Sequence, residues 1–283
     1  MAVELRETRP DDVPELGRIC YEAFKDIAER HGFPTDFPTV EFAQQMVGLL
    51  VQQEQVYGVG AFDDGAAKGS NYLNMWGDAA GIGPVSVDLA AQGQGIGRRM
   101  MADVVAHARK QGYEMVRLCQ DAFNMQSLAL YASVGFDTKE PIAYLHLSNA
   151  APPDPAFRPA TAADLDAMDE LCRSIYRISR KAEIATLLQL GFPVFVLDRG
   201  HIAGYLSGII VGHGVAETDD DMLALLAGTG TAVPDAHAFV PLRSGELYRR
   251  ALAAGHRNIK VMNLMALGPY DEPQGTYCPS VFC

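Results

Sequence analysis

From Val85 to Arg99 the chain reads Val-Ser-Val-Asp-Leu-Ala-Ala-Gln-Gly-Gln-Gly-Ile-Gly-Arg-Arg: the end of an apolar strand, three glycines at alternate positions, and the start of an amphipathic helix. Glycine lets the main chain approach a ligand closely and turn successive N–H groups to one side. The unpaired N–H groups and partial positive charge of a helix N-terminus then favour an anion, a pyrophosphate above all. Arg98 and Arg99 put positive charge into the first helical turn, an unfavourable place unless an anion offsets it. A plain tight turn between strand and helix explains the glycines alone equally well. Two nucleotide-binding loops do not fit. No Gly-Lys-Ser/Thr closes the segment, and counting G-x-G-x-x-G from Gly95 and Gly97 puts Met100 where the third glycine belongs. A hairpin also precedes the loop, where a dinucleotide-binding unit would begin with it.

The elements that must position this loop follow from periodicity and turn signals. Residues 3–7 read as a strand, 11–30 as a helix with Leu16, Ile19, Cys20 and Ala23 on one face, and 38–51 as a second helix. Residues 56–62 and 68–76 form a hairpin about Asp63-Asp64-Gly65, and 81–88 a strand leading into the glycines. Residues 97–111 follow as a helix whose Met101, Val104, Val105 and Ala108 keep the spacing of a buried face. A strand at 115–119, a helix at 125–134 and a closing strand at 143–147 complete an α/β unit with a mixed sheet. Asn149-Ala150-Ala151-Pro152-Pro153-Asp154-Pro155 is a linker. Beyond it, at a constant offset of 152 residues, Arg6 is matched by Arg158, Asp12 by Asp164, Leu16 by Met168 and Cys20 by Cys172, which points to an internal duplication.

Composition narrows the functions available. The 283 residues carry 23 Lys and Arg against 35 Asp and Glu, a net charge of −12. Neither half is basic, so a nucleic-acid partner is not expected. The N-terminal residues are charged where a signal peptide needs an apolar run, and the stretch at 200–216 is too short and too rich in glycine to span a bilayer. The five cysteines form no Cys-x-x-Cys pair. They are expected to be free thiols in a reducing cytoplasm, with no structural zinc site.

Gln92-Gly93-Gln94-Gly95-Ile96-Gly97 resembles the Q/R-x-x-G-x-G/A acyl-CoA pyrophosphate motif of the GNAT superfamily of N-acyltransferases. Downstream, Asn124-Met125-Gln126-Ser127-Leu128-Ala129-Leu130-Tyr131-Ala132-Ser133-Val134-Gly135-Phe136 is similar to that superfamily's second signature, N-x-x-S/A-x-x-x-Y-x-x-x-G-F. The resemblance covers about residues 3–147, and the whole chain is similar to bacterial proteins with two GNAT-like domains in tandem. It implies an α/β fold of two GNAT-like domains, each a mixed, mostly antiparallel twisted sheet flanked by helices. Residues 1–148 would be the catalytic domain, 149–156 a Pro-rich linker, and 157–283 a degenerate copy without a CoA motif.

The resemblance also implies roles. The backbone of Val85 and Val87 would bind the pantetheine arm of acetyl-CoA. Gln92, Gly93, Gln94, Gly95, Ile96, Gly97 and Arg98 would wrap the pyrophosphate, Asn124 and Ser127 would touch the cofactor arm, and Tyr131 would face the thioester sulfur as the acid. Asn124 also suits the N-cap of its helix, Ser127 a first-turn position and Tyr131 a core position. The reaction implied is an EC 2.3.1-type transfer of acetyl from acetyl-CoA to a primary amine, with a small-molecule acceptor, no membrane or nucleic-acid partner, and a monomer or homodimer in the cytoplasm. A non-catalytic acyl-CoA sensor and an acetyltransferase for protein amino groups are the alternatives.

No residue stands out as the base. Asp121 or a chain of waters would serve, while Asp88 fits better as the terminator of its strand. Tyr21, Phe24, Phe33, Phe37, Tyr72 and Trp76 are candidates for the acceptor channel. In the second half, Leu226-Ala227-Gly228-Thr229-Gly230-Thr231 stands where a pyrophosphate loop would be expected, without Gln or Arg. Tyr248 followed by Gly255 is a distorted second signature, and His213 with Glu217 is a possible but more simply structural pair.

Overall fold

The duplicated Arg and Asp positions make the same contact twice. Arg6, on strand β1 (Glu4–Glu7), donates to both carboxylate oxygens of Asp12 at 2.7 and 2.8 Å, just before helix α1 (Val13–Arg30). Arg158 donates to both oxygens of Asp164 at 2.9 and 2.8 Å. Each Asp also accepts from the main-chain N–H three residues earlier, of Arg9 and of Thr161, both at 2.8 Å. A paired guanidinium and a capped turn together fix how the first strand delivers the chain to the first helix. The apolar members of the repeat follow suit: Leu16, Cys20, Met168 and Cys172 are all wholly buried.

The computed structural model describes residues 3–149, 152–209 and 212–282. Ala150 and Ala151 of the linker, Ile210 of the glycine-rich stretch at 200–216, and Cys283 lie outside the described residues. After α1 come α2 (Val40–Gln52), β2 (Val56–Asp63), β3 (Ala66–Asn74), β4 (Ala80–Val87), α3 (Ile96–Lys110), β5 (Val116–Asp121), α4 (Met125–Ser133) and β6 (Asp137–His146). Past the linker lie β7 (Phe157–Pro159), α5 (Leu165–Tyr176), α6 (Lys181–Gln189), β8 (Val194–Asp198), β9 (Ile202–Ser207), β10 (Gly214–Ala216) and α7 (Asp219–Ala232). The chain closes with β11 (His237–Pro241), α8 (Gly245–Ala253), β12 (Arg257–Leu267) and β13 (Thr276–Cys278).

Two sheets result, ordered β1-β2-β3-β4-β5-β12-β6-β11 and β13-β10-β9-β8-β7. The halves exchange strands. Among the described residues β12, from beyond the linker, pairs only with β5 and β6, while β6 pairs only with β12 and β11. The closing strand expected at 143–147 begins six residues earlier than its apolar part suggests, at Asp137. Asp137-Thr138-Lys139-Glu140-Pro141 has turn chemistry, but Thr138 and Asp137 pair with Met265 and Ala266 of β12, and that distant partner overrides local preference. Ile142, Phe239, Met262 and Leu264 form a buried cluster over the exchanged strands. The main core of the first sheet lies on its other face, where Met100, Met101, Val104, Val105 and Ala108 of α3 pack against Leu73, Ile82, Val116 and Leu118.

The segment after β13 crosses the first of these faces. Val281 joins the cluster over the exchanged strands, and Phe282 lies among Leu16, Cys20, Val47, Leu50 and Tyr72 beneath α1 and α2. The Cys119 thiol reaches the Ser280 carbonyl at 3.4 Å. Gly81 makes the passage possible, because a Cβ there would come within 2.2 Å of the Phe282 carbonyl oxygen.

The glycines at 226–231 do not form a loop. They sit inside α7, where Gly228 faces the ring of Phe157 and Gly230 the Ser148 carbonyl, so their small size serves helix packing against the residues on either side of the linker. No disulfide is found among the described residues, and Cys20, Cys172 and Cys278 are buried.

Asp164→Asn is expected to destabilise the protein by about 1–2 kcal/mol at pH 7, through loss of the cap and the ion pair. The Arg158 guanidinium holds the folded-state carboxyl of Asp164 well below its ordinary range. Its contribution is therefore complete above the unfolded value of about 4 and fades as pH falls toward the folded value. Urea denaturation should show a full gap between the two proteins at pH 7 and a much smaller one near roughly pH 2.5.

Candidate active site

β4 and β5 are parallel partners at only two positions, Ala80 with Val116 and Gly81 with Arg117. Beyond Gly81, β4 continues to pair with β3 on its other side through Val85, Ser86 and Val87, while its β5-facing edge has no strand partner among the described residues. An unpaired edge of extended backbone is a ready partner for an amide-bearing chain laid alongside it. Val85 and Val87 both lie on this stretch and pack partly buried against the α3 core.

The loop that follows is shaped by its own side chains. The Asp88 carboxylate accepts from Ala90 N at 2.9 Å and closes a short turn, as expected of a strand terminator. Gln92 Nε2 donates to the Val87 carbonyl at 3.2 Å, and Gln94 Nε2 to the Ala90 carbonyl at 3.2 Å. Gly93 and Gly95 have φ of 77° and 79°, a left-handed geometry that costs an L-residue about 1–2 kcal/mol. Gly95 is the N-cap of α3 and offers no side chain, and the first turn carries no acidic residue. The helix therefore presents unsatisfied N–H groups beside the β4 edge, the arrangement an anion requires.

The two arginines divide. Arg98 is exposed and free of ion pairs among the described residues, whereas Arg99 donates to the Val3 carbonyl at 2.7 Å and ties down β1. Ile96 turns its side chain into the core, which leaves only its backbone to a ligand. Gly97 is small because Leu130 of α4 would lie 3.2 Å from a Cβ there.

On the far side of the gap stands α4. Asn124 is its N-cap, accepting from Ser127 N at 3.1 Å, and the Ser127 hydroxyl donates back to the Asn124 carbonyl at 3.0 Å. Gln120 Nε2 donates to both the Ser127 hydroxyl (3.0 Å) and the Asn124 carbonyl (2.7 Å), while Asn263 of β12 donates to Gln120 Oε1 at 2.9 Å. Asn124 and Ser127 thus knit the β5–α4 turn to the exchanged strand. Tyr131 is buried among Leu118, Phe136 and the α3 side chains. No hydrogen-bond partner of its hydroxyl is found among the described residues. Burial, and then the nearby charge of Asp121, push its phenol well above the ordinary value, so it stays protonated.

The opposite face of β5 carries a second set of groups. Asp121 ends the strand, and Lys260 of β12 places its ammonium 2.7 Å from Asp121 and 2.6 Å from Asp36 in the α1–α2 connection. Phe33 stacks on Phe123 at 4.3 Å beside them, and the Lys260 ammonium lies 6.0 Å from the Phe123 ring and 5.6 Å from that of Tyr144. Of the aromatic candidates for an acceptor channel, Phe33 borders this cluster. Tyr72 is wholly buried core, Phe24 and Phe37 pack edge to face, and Trp76 meets Phe282. Lys260, Asp36, Gln120 and Asn263 escaped the sequence reading. Only Lys260 left a trace, as one lysine within the otherwise apolar run Ile259-Lys260-Val261-Met262.

The second half keeps the scaffold and fills the cradle. The loop entering α7 is Glu217-Thr218, and the Thr218 hydroxyl accepts from Asp221 N at 3.1 Å. Asp219, Asp220 and Asp221 occupy the first turn, where they would repel a phosphate. Helices α4 and α8 and the glycines that end them, Gly135 and Gly255, stand 120 residues apart. Ala251 therefore occupies the place of Tyr131, and Tyr248 that of Leu128. His213 and Glu217 do not meet. His213 is buried, with Nε2 2.7 Å from the Tyr205 hydroxyl, whereas the exposed Glu217 pairs with His201 at 3.1 Å. No group of three His, Cys, Asp or Glu side chains able to hold a metal ion is found among the described residues. Among them, too, no helix is long and apolar enough to cross a membrane.

Residues 16–136 match the model of the acetyltransferase (GNAT) family. No curated protein matches the chain. A Pyrococcus horikoshii protein assigned as an acetyltransferase has a similar structure, with a TM-score of 0.80 over 99% of this chain and 95% of that one at 16% identity. A GCN5-related N-acetyltransferase from Sphaerobacter thermophilus superposes with a TM-score of 0.63, covering 97% of this chain and 98% of that one at 17% identity. One from Kribbella flavida gives 0.55, with coverages of 94% and 70% at 16% identity. The family match covers residues 16–136, and the end-to-end structural likeness gives the chain as a whole the fold of these proteins, with GNAT-like halves in tandem.

Proposed function

We propose that the protein transfers the acetyl group of acetyl-CoA to the primary amine of a small molecule, by direct attack while both are bound. The observation that carries this reading is the parting of β4 from β5 beside an uncapped, acid-free helix N-terminus. Main-chain N–H groups from Gln92 to Arg98 grip the pyrophosphate, with Arg98 adding its free charge. The open edge at Val85 and Val87 pairs with the amides of pantetheine, and a β4 N–H stabilises the oxyanion that develops on the thioester carbonyl. Asn124 and Ser127 shape the turn against which the arm lies. Tyr131 donates its hydroxyl hydrogen to the departing sulfur, an unpaired phenol being free to do so. Residues 1–148 act as the catalytic domain, and 157–283 as a degenerate copy that has lost the cradle.

A small acceptor is favoured over a folded protein because Ser280 and Phe282 cross the face of the sheet opposite α3, which narrows the approach to the gap. With two carboxylates and one ammonium at its rim, that approach suits a cationic amine.

Tyr131→Phe is expected to lower kcat by about 100-fold or more while leaving the Kd of acetyl-CoA nearly unchanged, since the phenol acts on the leaving group. Thiol release and calorimetry read the two quantities. Arg98→Glu should weaken acetyl-CoA binding by about 10-fold, most clearly at low salt, without lowering the melting temperature. An acidic residue in a first helical turn favours the helix itself, so only anion binding suffers.

A further inference from the structure

The cluster of Asp36, Lys260 and Asp121 draws on three separate parts of the chain: the α1–α2 connection, β12 and the end of β5. The Lys260 side chain is 3% exposed and that of Asp121 12%, so this ion cluster is largely withdrawn from water. Burial of an ammonium is costly without paired charge, and a carboxylate alone in such a place would rather be protonated. Lys260 answers both problems at once, yet one ammonium between two carboxylates leaves the cluster one negative charge in excess. Lys260 meets Asp121 through Oδ1. Asp121 also lies close enough to Tyr131 for its charge to act on the phenol. A carboxylate paired with an ammonium therefore stands at the acceptor side of the gap, within electrostatic range of the group assigned to the leaving sulfur.

We propose that Asp121 takes the proton of the acceptor amine and that Lys260, delivered by the second half of the chain, is the positioning residue that holds Asp121 ionised and oriented, with Asp36 fixing Lys260 in turn. The inference rests on the transferase reading above. In the step, the amine nitrogen forms a bond to the thioester carbonyl carbon and the carbon–sulfur bond breaks. The amine proton passes to Asp121, the Tyr131 proton passes to the sulfur, and the proton on Asp121 restores the phenol. The products are the acetamide and CoA thiol, with no net change in either side chain.

The charged and titratable groups facing Asp121 are Lys260 of β12, Asp36 of the α1–α2 connection, Tyr131 of α4 and Tyr144 of β6, and His237 of β11 interacts with Asp36 behind them. Burial and the charge of Asp36 raise the Asp121 carboxyl, while Lys260 lowers it. Activity rises with pH as this carboxyl ionises, so the two neighbours must move the acid limb of the profile in opposite directions.

The test is the pH profile of kcat/KM for the full-length protein, with acetyl-CoA and the faster of two probe amines, 1,5-diaminopentane and tyramine. Lys260→Met should move the acid limb up by roughly one to three pH units, Asp36→Asn should move it down, and Lys260→Arg should return it close to the wild-type position. A general loss of stability cannot shift the limb both ways. An unmoved limb in Lys260→Met and Asp36→Asn, or a shift of both in one direction, overturns the positioning role. Calorimetry with acetyl-CoA separates the two levels of the account. Wild-type affinity with an unmoved limb defeats this inference alone, whereas wild-type protein that neither binds acetyl-CoA nor acetylates either probe defeats the transferase reading with it.

Discussion

Strands β4 and β5 hold each other at two residue pairs, and then each follows its other neighbour. β4 stays with β3 as far as Val87, and β5 stays with β12 along its whole length. Two adjacent strands bound to diverging partners must open a gap between them, and both unpaired edges face into it. On one side of the sheet α3 and α4 approach across the gap, with Leu130 against Gly97. On the other, Ser280 and Phe282 lie over its closed end, with Gly81 leaving room. The site is in this sense a fault in a sheet, kept open by pairings elsewhere.

The strand exchange gives the second half a share in that site. β12 is the partner that draws β5 away from β4. It also brings Asn263 to Gln120, which anchors the turn carrying Asn124 and Ser127, and Lys260 to Asp121. The duplicated start, with Arg6–Asp12 and Arg158–Asp164, shows how closely the two halves began alike. Their difference is concentrated at one helix N-terminus. Before α3, glycine leaves the N–H groups open; before α7, Thr218 caps the helix and three aspartates follow. A few side chains at that point separate a helix N-terminus left open to an anion from one whose aspartates would repel it.

What could be read from the chain was what depends on near neighbours. The left-handed turns at Gly93 and Gly95, the cap at Asn124, the hairpin at Asp63-Asp64-Gly65 and the buried face of α3 all arise within a few residues, and each stands where periodicity and turn chemistry put it. What could not be read was pairing over distance. Nothing in residues 257–267 announces that they lie against residues 116–121, and the polar start of β6 becomes a strand only because β12 is there. The glycines of α7 misled for the same reason. Their spacing mimics a loop, and only the positions of Phe157 and Ser148 reveal a packing surface. Asp121 was visible as a carboxylate near a strand end, but its environment is made by Asp36, 85 residues before it, and Lys260, 139 residues after it.

We propose that the main chain from Gly93 to Gly97, beside the open edge of β4, holds the diphosphate of CoA. Hydrogen exchange of the full-length protein, followed with and without CoA at about 100 times its Kd, tests this most directly. The amides of Gly93 to Gly97 should exchange about 100-fold more slowly when CoA is present, with protection extending to Val85 and Val87. Unchanged exchange along this stretch, with protection at some other surface or at none, would contradict the account.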